Sequence, residues 1–383
     1  MRKILFVATV YTHLANFHKP YMQYFSNHGY EVHALANSNE GRMNEIEELG
    51  VVCHDFDFSR SMLSLAHFKA VKDLSTFFKN THYDLVHVHT PIASFLTRFV
   101  LRKNSSTKVV YTAHGFHFFK GAPFINWLLF YPSEKIAKKW TDSLIVMNSE
   151  DFKNAEKMGF ENEKNLFFIN GVGIDSKKLK ENVSEGLVRK ELSIPSDAIV
   201  LSCIAELNDN KNQMYVLRNW KTLYQRNKNV YLLLAGHGVN EEKYYQYVKD
   251  EKLQNVKILG YRSDIPNILM DTDAVLLLSK REGLPKSLME ALSFGKPIIG
   301  TNVRGTRDIV KDQYNGFLIN LDDDTQLINS IVTIIKEPSL IRKLGENAKK
   351  EASKYELKNI LLHYEKVYQN MLTQSADSNQ KVR

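Results

Sequence analysis

Short apolar runs alternate along this chain with longer stretches of helical spacing. Lys3–Val10, Glu31–Ala36, Val51–Phe56, Leu85–His89 and Lys108–Ala113 are rich in β-branched and aromatic residues. Runs of this kind predict strands buried on both faces, as in a parallel sheet. A loop of polar and aromatic residues, Tyr11–Lys19, follows the first strand; a helix then runs to Gly29, and another covers 65–80. The pattern restarts with Ala198–Ile204, Val230–Ala235, Val256–Gly260, Ala274–Leu278 and Pro297–Gly300, each followed by helix-like sequence. Strands alternating with helices predict an α/β fold of doubly wound parallel sheets. The expectation is two Rossmann-like domains, 1–180 and 181–355, joined through a polar linker at 176–197. A C-terminal helix, 356–372, is expected to pack back on the N-terminal domain. The tail 373–383 lacks apolar periodicity and is expected to be disordered. Ligands of such sheets bind beyond the carboxyl ends of the strands, so two facing domains would close a cleft over one ligand.

Composition narrows the class. With 383 residues, 43% hydrophobic and 25% charged, the chain has enough apolar material for two cores. Cys53 and Cys203 are its only cysteines, too few for a disulfide framework or a thiolate zinc site. The apolar run after Met1-Arg2-Lys3 is too short for a signal peptide. No stretch approaches the roughly 18 apolar residues of a membrane span. The net charge of +8 is concentrated: residues 60–140 hold twelve Lys/Arg against three Asp/Glu. Such a region is either a solvated surface or a face for an anionic partner.

The candidate chemistry centres on Arg281-Glu282-Gly283-Leu284-Pro285-Lys286-Ser287-Leu288-Met289-Glu290, which follows the strand Ala274–Leu278. Pro285 suits the first helical position, and Gly295 with Pro297 beyond it suits the helix end. Two carboxylates bracket this strand, turn and helix, whose free N–H groups would suit a phosphate or a sugar hydroxyl.

Two doubly wound domains with Glu-Gly-Leu-Pro-Lys-Ser-Leu-Met-Glu in the second resemble glycosyltransferase family 4, retaining nucleotide-sugar enzymes of the GT-B fold. The resemblance covers nearly the whole chain. It implies that Glu290 accepts hydrogen bonds from the donor ribose and Glu282 from the donor sugar, alongside Gly283, Leu284 and Pro285. In Ile204-Ala205-Glu206-Leu207-Asn208-Asp209-Asn210-Lys211, Lys211 falls on the family's diphosphate-binding lysine. Glu206 stands where the family commonly has arginine, and Arg281 or Arg262 are the candidate substitutes. His114, after the strand Lys108–Ala113, is implied to face the donor sugar; with Lys211 and Glu282 it completes the catalytic set. Gly260-Tyr261-Arg262 resembles the segment beside the base, and Asn16, His18 and Lys19 are assigned to phosphate on the acceptor side. His87 and His89 are read as core or sheet-edge residues.

No metal and no cofactor is expected beyond a UDP-sugar co-substrate. Asp55-Phe56-Asp57 and Asp271-Thr272-Asp273 are read as solvated turn residues rather than metal ligands. The segment Phe116–Tyr131 is densely aromatic, with Lys135, Lys138 and Lys139 following. It reads equally as a packed helix and as a membrane-surface element; no nucleic-acid module accompanies the charge. The expected partner is a polyprenyl-diphosphate-linked acceptor, met by a cytoplasmic enzyme peripheral on the inner face of the cell membrane. The transferred sugar is expected to be hexose-type, an N-acetylhexosamine first, for exopolysaccharide or capsule synthesis. Two rivals stand beside this reading: a nucleotide-sugar epimerase of the same architecture, and a non-catalytic nucleotide-sugar-responsive protein at the membrane surface.

Overall fold

The structure, a computed structural model, describes residues 1–59 and 64–380. Two compact units emerge: Met1–Val172 with the chain from Asn359 onward, and Gly173–Lys358. The N-terminal unit holds β1 (Arg2–Val10), β2 (Tyr30–Asn37), β3 (Val52–Asp55), β4 (Leu85–Val88), β5 (Lys108–Ala113), β6 (Ser143–Val146) and β7 (Leu166–Phe168). All pair in parallel, in the order β3-β2-β1-β4-β5-β6-β7. The C-terminal unit holds β8 (Ile199–Ile204), β9 (Val230–Ala235), β10 (Val256–Gly260), β11 (Ala274–Leu277), β12 (Ile298–Thr301) and β13 (Gly316–Ile319). Its parallel order is β10-β9-β8-β11-β12-β13. Each sheet therefore reverses direction of growth beside its first strand, between β1 and β4 and between β8 and β11. Loops leaving the two strands on either side of such a reversal diverge and open a crevice.

The central strands are apolar because helices cover both faces: Ile4 to Ala8, Val200, Leu201, Val275 and Leu276 are all almost fully buried. Three strands, β6, β7 and β13, were not foreseen. They are three or four residues long.

Four expectations are revised. The segment after β1 is helical, Tyr11–Phe17 and then Lys19–Asn27. Tyr11, Leu14 and Ala15 bury one face, Tyr11 Oη donates to the His54 carbonyl at 2.8 Å, and Pro20 in the first turn starts the second helix. The polar stretch 176–197 is folded into the C-terminal unit. Val188 and Ile194 are buried, and the Asp271 carboxylate accepts from the Gly186, Val188 and Arg189 amides at 2.6, 2.8 and 3.0 Å. Asp271 is thus a buried anchor and not a solvated turn residue. Asp273 likewise accepts from the Val200 amide at 2.7 Å and pairs with Arg189 at 2.9 Å. Asp55 and Asp57 are exposed, as expected, with the Asp55 carboxylate accepting from the Ser38 amide at 2.8 Å and that of Asp57 from Asn37 Nδ2 at 3.1 Å. Finally, the last helix runs Leu357–Gln380, past the expected end at 372. No Gly or Pro interrupts 373–380; residues 381–383 of the expected tail lie outside the described residues.

That last helix packs within the N-terminal unit. Tyr364 meets Tyr21 edge-on at 4.9 Å, and Tyr368 stacks on Phe25 at 4.5 Å. The helix Phe124–Ala137 turns Trp127, Phe130 and Tyr131 toward the core. Its other side exposes Phe124 (80%), Ile125, Leu128 and Ile136. A buried ion pair holds it: Arg98 Nη2 lies 2.9 Å from Glu134 Oε2, with the guanidinium 4.2 Å from the Tyr111 ring centre.

Candidate active site

In the C-terminal unit, the loops after β8 and β11 bring Lys211 and Glu282 together. Lys211 Nζ donates to Glu282 Oε1 at 2.6 Å, the lysine side chain 21% and the carboxylate side chain 9% exposed. A frame of hydrogen bonds fixes the two loops. Asn208 Oδ1 accepts from the Lys211 amide at 2.9 Å, Asn210 Nδ2 donates to the Arg281 carbonyl at 3.1 Å, and the Lys280 amide donates to the Asn210 carbonyl at 2.8 Å.

The Glu282 turn leads into the helix Lys286–Ser293, with Pro285 at its N-cap rather than inside it. Gly295 ends the helix at φ +68°, its amide bonded to the Leu292 carbonyl and that of Lys296 to Ala291. This is the Schellman arrangement expected of a C′ glycine. Leu284 packs against the core and Glu290 pairs with Lys286 at 3.3 Å.

Sequence reasoning missed Arg304 and Gly305, in the loop after β12. Arg304 Nε donates to the Glu282 carbonyl at 3.0 Å. Gly305 sits at φ +79°, and a Cβ there would lie 2.4 Å from the Gly283 carbonyl oxygen. The signal lay in Arg304-Gly305-Thr306 after an apolar strand, the same strand-to-glycine pattern that marks Glu282-Gly283. Of the substitutes for the missing arginine, Arg262 is engaged on both sides, with Glu191 at 2.6 Å and Asp264 at 2.7 Å. Both carboxyls sit below their usual range because that guanidinium bonds them. Glu206 is exposed, and so are Arg281 and Tyr261.

In the N-terminal unit the equivalent position is filled by histidines. His13 and His18 follow β1, His89 follows β4 and His114 follows β5. One ring nitrogen of each lies within 4.8 Å of the other three. His18 and His89 stack with ring centres 3.8 Å apart, and His114 meets His13 edge-on at 4.9 Å. Burial holds His13 neutral, its pKa down at about 4. Burial, with neighbouring imidazoles, takes His18, His89 and His114 well below the usual histidine range. His87 is a different case: its nitrogens meet Thr112 Oγ1 at 2.7 Å and Tyr368 Oη at 2.5 Å, as befits a core histidine. His89 is buried too, yet belongs to the cluster. The three acceptor-side candidates separate. His18 joins the cluster, Lys19 pairs with Glu45 at 2.6 Å, and Asn16 accepts from Arg42.

Known proteins place this architecture. The family model "Glycosyl transferases group 1" matches residues 185–351, and "Glycosyl transferase 4-like" matches 3–149. EpsD of Bacillus subtilis (strain 168), which is named as a glycosyltransferase, is 34% identical over 92% of this chain and 93% of its own. The chain belongs to glycosyltransferase family 4. The transferase is also 29% identical, over 73% of its length and 74% of the other's, to the UDP-Gal:alpha-D-GlcNAc-diphosphoundecaprenol alpha-1,3-galactosyltransferase of Escherichia coli. Its fold matches Anabaena Alr3699/HepE in complex with UDP and glucose: TM-score 0.79, 20% identity, 97% of this chain and 100% of that one. The two Rossmann-like units are those of the GT-B fold. Among the described residues, no helix of this glycosyltransferase is long and apolar enough to cross a membrane.

Proposed function

We propose that this glycosyltransferase moves a hexose-type sugar from a UDP-sugar to a polyprenyl-diphosphate-linked acceptor, with retained configuration, in exopolysaccharide or capsule synthesis. The observation that carries the reading is the Lys211–Glu282 pair at the reversal point of the C-terminal sheet. A donor diphosphate takes the ammonium, and Glu282 is released to accept from the sugar hydroxyls. Glu290, about one turn into the helix, takes the ribose, and Tyr261 and Arg262 flank the base. The bond from the anomeric carbon to the diphosphate breaks as the acceptor oxygen attacks from the same face, and the acceptor proton passes to the departing phosphate oxygen. Lys211 and the first-turn amides of Lys286–Ser293 stabilise the charge that develops there, so no metal ion is assigned to the diphosphate. His114 donates to the donor sugar as a neutral imidazole. Asn16, His18 and Lys19 serve the acceptor.

The Escherichia coli relative, named for a UDP-Gal donor and a diphosphoundecaprenol acceptor, supports both substrate classes. The exposed apolar side of Phe124–Ala137, with the exposed Lys135 and Lys139 and the half-buried Lys138, supports attachment to the inner face of an anionic membrane.

A screen of UDP-, GDP- and dTDP-sugars against a polyprenyl-diphosphate sugar acceptor, read as released nucleotide, tests the reading. UDP-N-acetylhexosamines are the first donors to try. Acceptor-dependent release of UDP, reduced in Lys211→Ala and Glu282→Gln, is expected. Unchanged rates in both variants, or free epimerised sugar formed without acceptor, would overturn it. Binding to anionic liposomes should vanish when Lys135, Lys138 and Lys139 are all changed to Glu; unchanged binding removes the membrane assignment.

A further inference from the structure

We propose that His13, His18, His89 and His114 form a binding site for one divalent transition-metal ion of the zinc class. The four rings come from three separate segments, after β1, β4 and β5, and converge so that one nitrogen of each lies within 4.8 Å of the rest. In a tetrahedral site with bonds of 2.0–2.1 Å, the ligand nitrogens stand about 3.4 Å apart. Small ring movements therefore close this cluster around an ion.

Several of the nitrogens also lack partners, although His114 Nε2 and His89 Nδ1 face each other at 3.4 Å. His13 Nε2, both nitrogens of His18 and His89 Nε2 are buried without a hydrogen-bond partner. Buried polar atoms are nearly always paired, and an ion taking one nitrogen from each ring would give a partner to as many as three of these four. His87, beside them, shows what a structural histidine looks like in this core, with both nitrogens bonded. A donor set of imidazoles alone selects zinc, cobalt, nickel or copper over magnesium and manganese, which require oxygen ligands.

His18 and His89 form the floor, while His13 and His114 are partly exposed, which leaves a path for the ion. Among the described residues, no hydrogen bond joins a carboxylate to any of the four rings, so all four are available as neutral ligands. The site lies within the N-terminal unit and does not rest on the Lys211–Glu282 assignment; the two readings share His114, which would hold the ion through one ring nitrogen and donate to the sugar through the other.

The test uses the full chain, stripped with a chelator and titrated with Co²⁺ and then Zn²⁺. Expected are one ion per chain, the visible absorption of four-coordinate cobalt, and its replacement by zinc with a rise in Tm. His13→Ala, at a partly exposed position, and His89→Asn should each weaken binding by about 100-fold or more, with far-UV circular dichroism confirming the fold. Lys211→Ala should bind cobalt as the wild type does. Failure of the folded wild type to bind either ion, or undiminished affinity in folded His13→Ala, would overturn the proposal.

Discussion

The two units place different chemistry at one topological position. Each sheet reverses beside its first strand, and side chains gather there from the loops that diverge, joined in the N-terminal unit by His114 from the loop after the next strand, β5. In the C-terminal unit these are a lysine and a glutamate, paired at 2.6 Å. In the N-terminal unit they are four neutral imidazoles, none bonded to a carboxylate among the described residues. The backbone frame repeats; the charge does not. What a reversal point binds is thus set by a few loop residues, while the strands beneath serve only to bring those loops together.

The largest effect expected from breaking this contrast is catalytic. Lys211→Ala or Glu282→Gln should lower kcat by about 100- to 1000-fold, the range for losing one preorganised charge partner. Because the two act as a unit, the double variant should lose far less than the product of the single losses. Steady-state assays on the three variants check both statements.

Gly305→Ala comes next. Its Cβ would press on the Gly283 carbonyl and lie 3.0 Å from Glu282 Cβ. A loss of about 1–3 kcal/mol in urea unfolding is expected, as for other overpacked sites, with kcat/KM falling alongside. No change in stability would show that the turn yields.

The third prediction separates the units by pH, in metal-free protein. His87 is held neutral, its pKa about 3 against an ordinary 6.5, because it is buried. Its stabilisation is complete above pH 6.5 and is lost as pH falls toward 3, since the unfolded chain takes up a proton that the folded one refuses. Each such histidine costs about 1.4 kcal/mol per pH unit in that window. In the C-terminal unit, Glu191 and Asp264 are lowered carboxylates, so their contribution persists above pH 4.5 and fades only below it. Hydrogen exchange at pH 7 and pH 5 should show β1, β4 and β5 losing protection before β8, β11 and β12. Equal loss in both would contradict the contrast. Smallest of all, Lys19→Ala removes a half-exposed pair with Glu45 and should shift stability by roughly 0.5 kcal/mol or less, while raising the KM for acceptor if the acceptor assignment holds.

The doubly wound fold was legible because strands buried on both faces leave long apolar runs, as in β1, β8 and β9. The short strands β6, β7 and β13 were not, although β3, β4, β11 and β12 are four residues long and were. Glu282 and Gly295 were legible through the glycine and prolines beside them, and Lys211 through its place in the loop after β8. The histidine cluster was not. His13, His18, His89 and His114 are spread over a hundred residues, and only the order β1-β4-β5 in the sheet brings them together. Asp271 was misread for a related reason: its partners, Gly186 to Arg189, are amides more than eighty residues away.

The lysine–glutamate pair also makes the site hard to deceive. An incoming anion that offers charge alone must pull Lys211 away and leave the Glu282 carboxylate beside it, nearly out of water and without a partner. A molecule that brings a diphosphate together with sugar hydroxyls replaces both halves of the pair at once. Inorganic phosphate and bare nucleotide should therefore inhibit weakly relative to the intact donor, and Glu282→Gln should narrow that gap by relieving the repulsion.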